Sequence, residues 1–185
     1  MTKFIVYACP LGELADQINT YFEKSLFFCN ANAAHNYMPH CTLTGFFEEE
    51  TCSIPLYTQT LKRSLNRLLQ TCPDPVIDIT DMVFRADWHG LELQSPWLKK
   101  VMIDFVATAL SPTRHEPIRL KQQLHLSLAY EFQTKHRETL IQLAQKEINP
   151  QAAVKWELRF YQRHPDNSWT CHLAWPLGCE SLMGN

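Results

Sequence analysis

Two short segments built on one pattern limit what this chain can become. "HCTL" at residues 40–43 and "HLSL" at residues 125–128 both read H-x-[S/T]-L, and each lies in a stretch with the alternation of a β-strand. Alternate residues of an extended chain share a face, so His40, Thr42 and Thr44 project together while Cys41 and Leu43 point the other way. His125 and Ser127 repeat the arrangement against Leu126 and Leu128. Each strand thus has an apolar face that needs a core and a polar, titratable face that needs solvent. A fold that satisfies both packs the apolar faces under helices and turns the polar faces toward one cleft.

The surrounding sequence supplies those helices and further strands. "KFIVYACP" reads as a strand ended by Pro10, followed by an amphipathic helix in "ELADQINTYFEKSLFF". Pro39 keeps Tyr37-Met38 extended and opens a strand from about Pro39 to Phe47. Leu61, Leu65, Leu68 and Leu69 mark a helix through "IPLYTQTLKRSLNRLLQTC" that stops before the turn-rich "CPDP". "VIDITDMVFRADWHGLELQ" gives two strands joined near "ADWHG", and Ser95-Pro96 caps a helix carrying Leu98, Val101, Met102 and Phe105. "LHLSLAY" is a strand, "TKHRETLIQLAQKEI" a helix, and a hairpin of "VKWELRFYQR" and "SWTCHLAWPL" turns at "HPDN". The tail "GCESLMGN" is expected to fray. The hairpins argue against a purely parallel sheet, so the fold class is α+β with mainly antiparallel sheets, in one domain over residues 1–185.

Charge narrows the partners. Seventeen basic and 19 acidic side chains leave a formal charge of −2, which offers a long polyanion no global attraction and suits a small charged substrate in a local pocket. The apolar N-terminal stretch is too short for a membrane span and nothing reads as an export signal. Seven cysteines with no C-x-x-C pair suggest reduced, cytoplasmic thiols acting as small buried hydrophobes.

Two imidazoles and two hydroxyls converging on one volume suit phosphate chemistry. Hydrolysing a phosphodiester without a metal takes a base to accept a proton from water and an acid to protonate the departing oxygen, and neutral and protonated imidazole supply both near pH 7. Thr42 and Ser127 would donate hydrogen bonds to the non-bridging oxygens. Either histidine alone would read as a core imidazole; the recurrence is what points to function. His35, His89, His115, His136, His164 and His172 lack that context.

Other chemistries fit less well. No H-E-x-x-H, H-x-H or C-x-x-C marks a metal site, "HLSL" lacks the glycines of a nucleophile elbow, and Cys41 points away from His40. The five glycines are too scattered for a phosphate-cradling loop. Arg85, Arg119 and Lys121 could attract a phosphate, and Phe46, Phe47, Phe84 or Trp88 could provide a ledge for a base.

The paired "HCTL" and "HLSL" segments, in an α+β chain of this size, resemble the 2H phosphoesterase superfamily, with 2',3'-cyclic nucleotide phosphodiesterases nearest and 2'-5' RNA ligase-like proteins next. The resemblance implies a bilobal, pseudo-twofold fold in which two sheets face a central groove with helices outside. It implies metal-independent opening of a 2',3'-cyclic nucleotide, or of the cyclic phosphate of ADP-ribose; no cofactor is expected, and the chain is expected to act as a monomer. His40 and His125 would be the catalytic pair, and Thr42 and Ser127 the phosphate-binding hydroxyls. By the same resemblance His125 activates water, His40 protonates the leaving oxygen, and Tyr130 joins the substrate site. An offset of five puts Tyr130 on the wrong face of a regular strand, so it reaches the groove only if the strand ends or bulges after Leu128. The alternatives are an enzyme acting on RNA ends and a non-catalytic module that binds a terminal phosphate.

Overall fold

Alternation along the first strand decides how the layers stack. The computed structural model describes residues 1–73 and 75–178, and in it β1 (Thr2–Leu11) is buried on both faces. Phe4, Val6 and Ala8 join the main core, while Ile5, Tyr7 and Cys9 form a smaller apolar cluster with Tyr161 on the other side. The main core takes in residues of four helices: α1 (Glu13–Cys29), α2 (Ile54–Thr71), α3 (Pro96–Thr108) and α4 (Arg137–Glu147). The helices therefore pack on one face of the sheet. The opposite face is left for a site.

The remaining strands are β2 (Cys41–Thr42), β3 (Phe47–Glu49), β4 (Asp78–Phe84), β5 (Trp88–Gln94), β6 (Leu124–Tyr130), β7 (Lys155–Arg163) and β8 (Trp169–Leu177). All the strand pairings described are antiparallel, in the order β4-β5-β6-β2-β1-β7-β8, with β3 beside the start of β1. The α+β antiparallel class expected from the sequence is the one observed. The two expected sheets, however, are one hydrogen-bonded sheet of eight strands, because the two residues of β2 bridge β1 on one side and β6 on the other.

The strand expected from Pro39 to Phe47 is correspondingly broken. Tyr7 pairs with Thr42 and Phe4 with Phe47, so four residues, 43 to 46, span the distance that Ile5 and Val6 span on β1. The two surplus residues break the regular ladder with β1: Leu43 N–H still donates to the Val6 carbonyl, but the Leu43 carbonyl accepts from Lys121 N–H and Gly45 N–H donates to the Arg119 carbonyl. Thr44 repairs part of the gap. Its buried hydroxyl accepts the Val6 N–H at 3.1 Å, standing in for a ladder carbonyl.

Other boundaries follow local chemistry. Ser95 caps α3 by accepting the Leu98 N–H at 3.1 Å, as the sequence implies. Pro10 does not end β1, which runs on to Leu11; proline's missing N–H is tolerated near a strand end, where only β7 pairs with it. Of the six cysteines described, Cys9, Cys29 and Cys41 are buried while Cys52, Cys72 and Cys171 are exposed, so the buried-hydrophobe reading holds for three. Most of the tail "GCESLMGN" lies outside the described residues. Among the described residues no helix is long and apolar enough to cross a membrane.

Because Thr44 supplies the acceptor for a buried backbone donor, Thr44→Val should leave Val6 N–H unpaired at nearly constant volume. The expected loss of unfolding free energy is about 1–3 kcal/mol, read from the urea midpoint with an unchanged slope.

Candidate active site

The register between β2 and β6 sets the geometry of the site. Cys41 pairs with Leu126, and carrying that antiparallel register one residue either way sets His40 opposite Ser127 and Thr42 opposite His125. Each histidine thus faces the hydroxyl of the other motif, on the sheet face away from the helices. Directly opposed side chains in such a pair have Cβ atoms about 5 Å apart, and diagonal positions such as His40 and His125 are about 7–8 Å apart. One phosphorus with an entering and a leaving oxygen fits such a span. His40, Thr42, His125, Ser127 and Tyr130 all line a single groove with a volume of about 660 Å³.

Tyr130 gets there by a bulge. His89 pairs with Ala129 but Gly90 pairs with Ser127, so Leu128 is an extra residue on β6. Burial along β6 keeps step until that point and then slips: Leu124, Leu126 and Leu128 are buried, Ala129 is buried next, and Tyr130 is half-open on the groove side. The condition that an offset of five demanded is met.

His40 Nδ1 lies 2.8 Å from the carbonyl oxygen of Met38, and since a carbonyl only accepts, Nδ1 carries the proton and Nε2 of the neutral ring keeps its lone pair. The backbone of Gln123, likewise two residues upstream, favours the protonated form of His125. The ring of Tyr7 packs against His40 with centroids 4.0 Å apart, and Tyr37 approaches to 5.4 Å. Burial pushes the His40 pKa down to about 4, the Met38 bond opposing and the nearby His125 adding to the fall. Burial also lowers His125, helped by the Lys121 ammonium and opposed by the Gln123 backbone. Burial and the neighbouring Tyr37 raise Tyr130 to about 12, so its phenol stays a neutral donor.

The other candidates divide. Lys121 lines the groove; Arg85 lies over the Trp88 ring and pairs with Glu92 at 2.7 Å; Arg119 sits beside Gly45. Of the four aromatics considered for a ledge, Phe46 and Trp88 line the groove, whereas Phe47 is in the main core and Phe84 packs against it. His35 completes a capping box with Asn32, His164 bonds Thr170, and His172 bonds Gln162, as structural histidines would. Thr44 lines the groove as the alternation implies, but its hydroxyl is already engaged by Val6. Sequence reasoning missed Tyr7 and Tyr37. The unbroken apolar run around Tyr7 hides which of its faces meets the groove, and the only signal for Tyr37 is its place just before the first motif.

No family model matches the chain. Ubiquitin-associated and SH3 domain-containing protein B of Homo sapiens is 31% identical over 87% of this chain and 25% of its own length. Ecdysteroid-phosphate phosphatase of Bombyx mori is 30% identical over 88% of this chain and 25% of its own. The chain spans about a quarter of the length of the curated relatives it matches. A solved structure, Usb1 of Kluyveromyces marxianus, aligns over 95% of this chain and 98% of its own, at 15% identity and a TM-score of 0.38.

A histidine whose folded pKa lies below its unfolded value takes up its proton more readily once the chain unfolds. Stability should therefore fall as pH drops from about 6.5 toward about 4, the window set by His40. Urea midpoints across that range should show the slope, and His40→Asn, which keeps a donor for Met38, should flatten it.

Proposed function

We propose that this chain is a phosphoesterase of the 2H type, a phosphodiesterase that hydrolyses cyclic phosphates of nucleotides, or that of ADP-ribose, by two-histidine acid–base catalysis. The observation carrying the proposal is the reciprocal register, which sets His40 against Ser127 and His125 against Thr42 in one groove. Relatives named for phosphatase activity support a hydrolase, although this chain spans only a quarter of them.

The chemistry follows from what each group can hold. Thr42, Ser127 and Tyr130 donate to the non-bridging oxygens, and Lys121 offsets the phosphate charge. One imidazole takes the proton of the attacking water at Nε2 while the other, protonated, gives its proton to the departing ribose oxygen. The groove's electrostatics favour His125 as the acid, the reverse of the assignment the resemblance carries. Burial lowers both rings and a bound phosphate raises both, but at His125 it also offsets the Lys121 charge that contributes to the fall there, so His125 regains its proton more readily. His40 then acts as the base.

A second occupant, an RNA end, has one observation in its favour. A polar cavity of about 400 Å³, with Arg85, Lys99, Gln122 and Gln123 in its wall, adjoins the groove across Trp88 and His125, where a second nucleotide could lie. Rates on cyclic mononucleotides and on cyclic-ended oligonucleotides at two salt concentrations separate the two, because an RNA-tracking surface loses more rate at high salt. The unpaired thiols fit a reducing compartment, and we place the protein in the cytoplasm as a monomer.

The direct test is incubation with a 2',3'-cyclic nucleotide in chelator. Turnover should persist, with kcat/KM peaking below pH 6.5 because both free-enzyme imidazoles titrate below their ordinary value. His40→Ala and His125→Ala should each lose at least about a hundredfold while remaining folded. On a p-nitrophenyl diester, whose leaving group needs no proton, the His125 variant should recover rate and the His40 variant should not. Tight binding without turnover would indicate a recognition module instead.

A further inference from the structure

The second motif has a support that the first lacks, and it is built from Trp88. The pairing of β5 with β6 sets Gly90 opposite Ser127. A Cβ on Gly90 would lie 2.3 Å from Trp88 Cζ2 and 2.4 Å from the Leu126 carbonyl oxygen, so the indole occupies the space that a side chain at position 90 would need. From there Trp88 Nε1–H donates to Ser127 Oγ at 2.9 Å. The same ring meets His125 edge to face at 5.2 Å and is covered by Arg85 at 5.5 Å, which Glu92 holds in turn. Glu92 is itself the cross-strand partner of His125.

An indole N–H can only donate, whereas a serine hydroxyl has one donor and two acceptor sites. With one acceptor site of Ser127 occupied by Trp88, its own hydrogen is turned away from the indole and toward the groove. Unprotonated phosphate oxygens need donors, and a hydroxyl that already accepts one hydrogen bond is the stronger donor for it. The Thr42 hydroxyl, across the groove, has no such partner among the described residues. We propose that Trp88 is a positioning residue that commits Ser127 to donating toward the bound phosphate, orienting the phosphate from the second motif. This rests on the phosphoester reading of the groove. It also gives Trp88 a use other than the base ledge considered from the sequence.

The test is a double-mutant cycle read by affinity for a nucleoside 2'-monophosphate, alongside turnover of the 2',3'-cyclic nucleotide. Trp88→Phe keeps an aromatic side chain but removes both the donor and the Cζ2 and Cη2 atoms that lie over Gly90. It should weaken binding roughly three- to tenfold in the wild type and have almost no further effect in Ser127→Ala. The indole ¹⁵N–¹H resonance of Trp88 in the unliganded protein supplies a reading independent of the Trp88 variant's folding, and should move when Ser127→Ala removes its acceptor. Additive losses in the cycle, or an indole resonance indifferent to Ser127→Ala, overturn the proposal. If the cycle is coupled but the wild type does not turn over, the positioning role stands and the enzymatic reading fails; a wild type that binds no phosphate ester defeats both.

Discussion

A single cross-strand pair, Cys41 with Leu126, is the constraint on which the rest depends. It joins the two halves of the sheet, and its antiparallel sense turns two copies of one short motif into a reciprocal square of imidazoles and hydroxyls. A parallel pairing in the same register would set histidine against histidine. A shift by one residue would send one motif's polar face into the helical core. Both apolar neighbours, Cys41 at 1% and Leu126 at 0% exposure, are in that core, and this burial holds the register.

The groove works because the two faces of β1 and β6 do different things. On the helix side they form part of one continuous core; on the other, Tyr7 and Tyr37 surround His40 and the indole of Trp88 supports Ser127. The aromatic surroundings make the site dry enough to push both imidazoles toward their neutral forms in the free protein. On the proposed function, a bound phosphate monoanion would favour return of the proton that acid–base catalysis needs, coupling binding of the anion to readiness for chemistry.

Much of this is legible in the chain. The second motif strand, the capped third helix and the closing hairpin follow from periodicity and turn chemistry, which are local properties. What the sequence hides are the irregularities that depend on a partner strand. The Leu128 bulge that turns Tyr130 into the groove exists because of how His89 and Gly90 pair across from it, and "LHLSLAY" alone gives no sign of it. The break after Thr42 likewise comes from two surplus residues relative to β1. The joining of two sheets into one rests on a strand of only two residues, shorter than any pattern can mark. The Trp88–Ser127 bond is a contact over 39 positions that no spacing rule anticipates.

That His40 and His125 serve one phosphate is the central claim, and imidazole ¹⁵N resonances report on both rings at once. Titrating the protein with a nucleoside 2'-monophosphate should shift Nε2 of His40 and of His125 together, with one saturation curve and a rise in both pKa values. A response confined to one histidine, or two curves of different midpoint, would contradict it.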